Sequence, residues 1–407
     1  MGAKIIYNLK GISRMLTPRA FTQPLLKHKI ESIFKLDDKT LESIASRVAH
    51  YHKINERFEI APFVDSGRDN NAGDSAPSAP FVSSRQRLGL ANPHFGLLKD
   101  NKLSKEHSSV YFYDSYEWTR YFPGDYRWYY EFGDVNYYLT APTITKTRPI
   151  DARADSDKLD SNALDFSARE SNHAKSHLDS SLPESSASDS ASQNYSPPPH
   201  SIKTAQNSII LQLDKNRHFS FIHDPIAFED KKDILFFRGA CPQKHRSDFL
   251  QKYFAHPLCD LGHTGGSSEH PAYTKPKISK ANHLGYKFLL SLEGNDVASN
   301  LKWVLASNSL CVMPTPKYES WFMEEKLLPN VHYAHISDDY ENVEAVLEFF
   351  IKHPKDAKDI VHNAHEYCAR FRNPRIEAAC NLLVLRKYFY LSAQGELTSA
   401  EKSLLGL

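Results

Sequence analysis

Cysteine is scarce in this chain and poorly placed for its usual structural uses. The five cysteines among 407 residues (Cys241, Cys259, Cys311, Cys368 and Cys380) are odd in number and widely spaced, with no Cys-x-x-Cys pair. Neither a disulfide framework nor a thiolate zinc site is indicated, and a reducing cytoplasm fits best. No run reaches the roughly eighteen apolar residues of a spanning helix. The start lacks the apolar core and cleavage site of a signal peptide, so none is expected. Charge of either sign is not in excess, with 50 basic against 49 acidic side chains, which argues against a nucleic-acid partner. Gly-x-Gly-x-x-Gly, the Walker loop, Gly-x-Ser-x-Gly and His-Glu-x-x-His are all missing, and the twenty histidines show no ligand spacing.

One local absence points the other way. Residues 1–30 hold Lys4, Lys10, Arg14, Arg19, Lys27 and Lys29 and no acidic residue, while Ile5, Leu9, Ile12 and Leu16 recur on one helical face. Such a segment suits an anionic membrane surface, although an ordinary packed helix has the same pattern.

Further along, residues 31–60 carry helical periodicity and 65–92 read as a loop. The aromatic-rich stretch 109–150 admits strands or short helices. Residues 152–200 are rich in Ser, Asp and Ala with few large apolar side chains, and read as a disordered insertion. From 230 onward, apolar runs ("DILFFRGA", "YKFLLSLEG", "LCVMP", "VHYAHIS") alternate with helical patterns ("HRSDFLQKYF", "ASNLKWVLAS", "YESWFMEEKL", "VEAVLEFFIKHPKDAKDIVHNAHEYCARF"). That order predicts an α/β fold with a parallel sheet covered on both faces, whose ligands sit at the carboxyl ends of the strands.

Three places there carry candidate chemistry. In "FFRGACPQKHR" a strand delivers Arg238 and Gly239, followed by Ala240 and, near a helix start, Arg246. A guanidinium beside helix-terminal N–H groups suits a diphosphate, and a solvated basic turn looks the same. In "LEGNDVASNLKW", Glu293 at a strand end can accept from sugar hydroxyls, and Gly294 lets the backbone approach a ligand. Asn295, Ser299 and Asn300 offer donors, Asp296 or Ser299 can cap the next helix, and Lys302 sits one turn in. In "YEFGDVNYYL", Asp134 is a turn residue by position and a general base only if a site needs one.

At these residues the sequence resembles glycosyltransferase family 90, which contains protein O-glucosyltransferases, capsule-associated enzymes and, closest here, bacterial lipopolysaccharide core glycosyltransferases. The likeness is carried by "FFRGA…HR", "HPLCDLG", "YKFLLSLEGNDVASNLKWVLASNS", "MPTPKYESWFME" and "LLPNVHY" in that order, with "RYFP…EFGDV…TKTRPI" and "NSIILQLDKNRHF" before them. The resemblance implies a GT-B-like enzyme of two doubly wound parallel-sheet domains, over 1–230 and 231–395, facing a cleft. It implies inverting hexose transfer from a UDP-sugar, without metal or other cofactor, to a lipid-linked lipopolysaccharide core acceptor at the cytoplasmic face of the inner membrane. Arg246 matches an arginine on the donor diphosphate, Ala240 a small residue lining the nucleotide, and residues 295–300, Ala298 among them, the diphosphate loop. Asp134 matches the catalytic aspartate. Many relatives carry arginine where Asn300 stands, so Lys302 is the expected substitute charge. A protein or capsule acceptor, and a non-catalytic module that binds sugar nucleotide or anionic lipid, stay open as alternatives.

Overall fold

The computed structural model of the protein describes residues 2–62, 90–103, 108–151, 205–265 and 271–407. The insertion expected over 152–200 and most of the loop expected over 65–92 lie outside these residues.

The chain opens with helices α1 (Gly2–Leu16), α2 (Arg19–Thr22), α3 (Leu25–Ile33) and α4 (Asp38–Tyr51), followed later by α5 (Ser109–Thr119). The helical pattern expected over 31–60 therefore breaks at residues 34–37 and ends at Tyr51. Asp37 caps the new helix, accepting the Thr40 N–H at 2.9 Å.

Strands β1 (Leu90–Ala91), β2 (His94–Leu97), β3 (Arg127–Glu131), β4 (Tyr138–Leu139), β5 (Thr143–Thr145), β6 (Thr147–Pro149) and β7 (Ser208–Ile210) belong to the first half. Strands β8 (Lys232–Gly239), β9 (Cys259–His263), β10 (Tyr286–Leu290), β11 (Leu310–Met313), β12 (Tyr318–Ser320) and β13 (Ala334–His335) belong to the second. Of the two larger sheets, the first has the order β2-β3-β5-β7 and the second β13-β11-β10-β8-β9, while β1 pairs with β4 and β12 with β6 in two-stranded sheets. The second is parallel throughout. In the first, β3, β5 and β7 are parallel and β2 is antiparallel, so this sheet is mixed. Continuous apolar runs build the central strands because parallel sheets bury both faces: Leu235–Phe237, Phe288–Leu290 and Leu310–Met313 are all buried. A single apolar cluster takes in Ile144 and Ile209 from one sheet and Phe236, Leu289 and Cys311 from the other.

Two expected helices differ. "ASNLKWVLAS" is helical only over Leu301–Leu305, and its N-cap position, Asn300, makes no side-chain cap bond, so neither Asp296 nor Ser299 caps it. "YESWFMEEKL" is not an α-helix. Tyr318–Ser320 pairs antiparallel with β6, and the chain then turns through Met323, at φ 57°, into the short 3-10 turn Glu324–Lys326. The pairing with a strand far back in sequence overrides local helical preference. The closing pattern resolves into Val343–Lys352 and Pro354–Ala369, divided at His353 with proline at the start of the second helix.

The last long helix, Pro374–Leu391, returns to α3, α4 and α5. Arg47 on α4 pairs with Glu377 at 2.6 Å, and the Lys387 ammonium donates to the His52 carbonyl at 3.0 Å. The Tyr129 N–H donates to the Tyr388 hydroxyl at 2.9 Å.

Candidate active site

The carboxyl ends of the parallel strands in both sheets converge on one cluster of charged side chains. Asp134 follows β3, across a turn that needs Gly133 at φ 128°. Lys146 follows β5 directly, and Asp214 and Arg217 follow β7. From the other sheet, Ala240 follows β8 and residues 293–296 follow β10.

Lys146 sits at the centre. Its side chain is 2% exposed, and its ammonium donates to Asp134 at 2.7 Å and pairs with Asp296 at 2.8 Å. Asp296, also buried, accepts the Thr147 hydroxyl at 2.8 Å. The Asn295 amide donates to Asp134 at 3.4 Å and accepts from Gln243 at 3.0 Å. Arg217, half-exposed, pairs with Asp214 at 2.7 Å and lies 3.7 Å from Asp134.

Burial pushes the Asp134 carboxyl up, but the Lys146 ammonium, Arg217 and the Asn295 amide outweigh it and hold the group below the ordinary aspartate value. Burial dominates at Asp296, which is raised despite Lys146. For Lys146 itself, burial is overcome by Asp296, Tyr111 and Asp134, and its pKa rises. Neighbouring carboxyls whose pKa values are driven apart are the usual mark of divided acid and base roles.

Arg246 braces the loops that follow β8 and β10. Its guanidinium donates to the carbonyls of Glu293 (2.7 Å), Leu292 (2.6 Å) and Ala240 (2.7 Å), tying the end of β8 to the end of β10. These bonds use three of its five N–H donors and leave two. Gly294 lies beside it: a Cβ there would make ordinary contact, 3.4 Å from the guanidinium. His245 adds a 2.8 Å contact to the Glu293 carbonyl.

Glu293 accepts the Lys317 and Tyr318 N–H groups, each at 3.0 Å, yet removal from solvent pushes its pKa up to about 8. At neutral pH it is mostly protonated, so it offers a hydrogen as well as the acceptor expected from the sequence. A charged Glu293 would repel an anion at this loop. Affinity for pyrophosphate as a probe is therefore expected to fall above about pH 8 in the native protein, by about tenfold over one unit, and to stay flat in Glu293→Gln. An unchanged alkaline fall in the variant would show that another group titrates.

The sequence-predicted residues divide. Asp134, Ala240, Arg246, Glu293, Gly294, Asn295 and Asp296 come together. Lys302 does not: its ammonium is fully buried and paired with Glu324 at 2.5 Å, so it cannot supply the charge expected of it. Arg238 is held by Asp260 at 2.7 Å and stacks over Phe236 at 4.4 Å. A Cβ on Gly239 would meet the Phe237 ring at 2.6 Å, a packing reason for glycine there. Asn300 donates to the Leu290 carbonyl at 2.9 Å and secures the strand end. Ala298 is buried and Ser299 exposed. Sequence reasoning missed Lys146, Asp214 and Arg217. Asp214 and Arg217 stand past the apolar run in "SIILQL", whereas Lys146, after "PTIT", carries no such signal.

An α/β protein that gathers cations and an ionised carboxylate at the strand ends of two sheets has the make-up of a group-transfer enzyme, and comparison with known proteins says which kind. The Glycosyl transferase family 90 profile matches residues 213–377. The chain is 35% identical over 287 residues to a protein of Dichelobacter nodosus named O-glucosyltransferase LpsA, covering 70% of this chain and 74% of the relative. The protein is a glycosyltransferase, and it belongs to glycosyltransferase family 90.

Proposed function

We propose that the protein transfers glucose from UDP-glucose, with inversion and without a metal ion, to a hydroxyl of a lipid-linked lipopolysaccharide core oligosaccharide at the cytoplasmic face of the inner membrane. The observation that carries this reading is that Asp134, beside Arg217 and reached by the Asn295 amide, lies against the 293–296 loop that Arg246 braces. The name of the Dichelobacter relative supports glucose as the sugar and oxygen as the linking atom.

In this mechanism the acceptor oxygen attacks the anomeric carbon as the bond to the diphosphate oxygen breaks, with the electron pair leaving on the diphosphate. The acceptor proton passes to Asp134, which the low pKa keeps ionised and ready. Negative charge growing on the diphosphate meets the two uncommitted N–H groups of Arg246 and the loop backbone at Gly294. Lys146 stays neutralised between its two carboxylates and keeps the base beside that loop.

The decisive experiment compares the mass of lipid-linked oligosaccharide in cells with and without the protein, alongside UDP release by the purified enzyme. Loss of one hexose together with acceptor-dependent UDP release is expected. A sugar found instead on a protein serine or a capsule polymer would change the acceptor. Absence of turnover with any UDP-sugar would reduce the protein to a binding module.

A further inference from the structure

Among the described residues, exposed large hydrophobic side chains gather in one stretch, and that stretch carries charge of one sign. Ten large hydrophobic side chains are exposed among the described residues, and eight of them lie between Ile5 and Leu25. No acidic residue occurs before Glu31.

Helix α1 is packed the reverse of the usual way. A surface helix normally turns its apolar stripe to the core. In α1 the stripe Ile5, Leu9, Ile12 and Leu16 faces outward, with exposures of 53%, 59%, 39% and 72%. The opposite stripe, Tyr7, Gly11 and Arg14, fastens the helix to α5. The Tyr7 hydroxyl donates to Asp114 at 2.8 Å, and Arg14 pairs with Glu117 at 2.6 Å. Gly11 is buried where a Cβ would lie 2.5 Å from the Tyr113 ring. The helix is thus held by specific contacts in an orientation that exposes its greasy side. Beside the stripe runs an open groove lined by Ile6, Leu9, Lys10, Arg14 and Arg120. Phe21, 71% exposed, and Leu25 continue the apolar surface, with exposed Lys27 next to it.

We propose that the outward face of α1, extended by Phe21 and Leu25, is a docking surface for an anionic phospholipid bilayer. The apolar stripe enters the boundary between headgroups and acyl chains, and Lys10 and Lys27 lie among the lipid phosphates. Charge selects this occupant over a second copy of the chain, because two such faces would bring like charges together, whereas an anionic surface complements them. The docked helix is also braced to the active-site side. Asp114, which accepts from Tyr7, also accepts the Lys215 N–H at 2.8 Å, and Lys215 opens the turn that carries Arg217 beside Asp134. Resting on the transfer reading above, this places the reaction where a lipid-linked acceptor is presented.

Flotation with vesicles tests the surface without any sugar nucleotide, so its outcome is independent of the transfer assay. The full-length protein is expected to float with phosphatidylethanolamine–phosphatidylglycerol vesicles, and to bind phosphatidylcholine vesicles, or the anionic ones at high salt, more weakly. The variant Ile5→Gln/Leu9→Gln/Ile12→Gln should lose binding by about tenfold or more while keeping the native melting temperature, since all three side chains are exposed. Lys10→Glu/Lys27→Glu should lose binding to the anionic vesicles. The proposal is overturned if the native protein stays unbound or if the triple variant floats as well as it does. It is equally overturned if, without vesicles, the native protein is a dimer that the triple variant dissolves, because a second copy would then be the occupant.

Discussion

Asp134→Asn is expected to lower glycosyl transfer by about 10²–10⁴ while the donor binds as before. The substitution keeps the shape and the contact with Asn295 but removes the charge proposed to take the acceptor proton. The contacts proposed for the donor come from Arg246 and the 293–296 loop, which Asp134 touches only through the long Asn295 bond. Donor affinity and turnover measured on one preparation separate the two effects. The pH profile adds a signature. Asp134 is held below the ordinary aspartate value, so native turnover persists as pH falls past that value and is lost only as pH passes through the lowered one. Near-normal transfer by the variant would move the base to Asp214, the neighbouring carboxylate that pairs with Arg217 and that burial raises.

Lys146→Met should be the most destabilising single change in the site, at about 3–5 kcal/mol, because it leaves two buried or half-buried carboxylates facing each other with no cation between them. The Lys146 pKa is raised, so its contribution is complete below the ordinary lysine value and is lost only as pH rises beyond it. Asp134 contributes above the ordinary aspartate value and loses its share as pH falls through its lowered one. Chemical denaturation at neutral pH therefore reads the full loss. A cycle with Asp296→Asn tests the cause: removing one of the two like charges should restore much of the stability, giving a coupling of about 1–3 kcal/mol. Additive losses would mean that Lys146 acts through packing alone. In whatever fraction folds, the acid limb of turnover should move to higher pH, a change that loosened packing would not cause.

Much of the second half was legible because a buried parallel strand announces itself as an unbroken apolar run, and ligand groups follow such runs. That logic located Ala240, Arg246 and residues 293–296 correctly relative to the sheet. It misjudged Lys302 because a five-residue helix has too little periodicity to say which side faces inward, and the partner, Glu324, sits in a segment read as helix. Tyr318–Ser320 took its conformation from β6, which no local pattern encodes. Lys146 stayed hidden for a related reason. In "TKTRPI" nothing distinguishes it from Arg148, yet Lys146 joins Asp134 to Asp296 while Arg148 pairs with Glu319 at 2.7 Å. Those partners meet only once both sheets are formed.

The return of Pro374–Leu391 to α3–α5 bears on how the chain is made. Synthesis runs from the amino end, and a compact unit can close its core only when its last element has emerged. Here Arg47, deep in α4, waits for Glu377, and the backbone of β3 waits for the Tyr388 hydroxyl. The first-half helices consequently leave the ribosome long before the partners that cover them. During that interval the apolar face of α4, with Ile44, Val48 and Tyr51, is open to chaperones, and the outward stripe of α1 is free to find a bilayer before the rest of the enzyme exists.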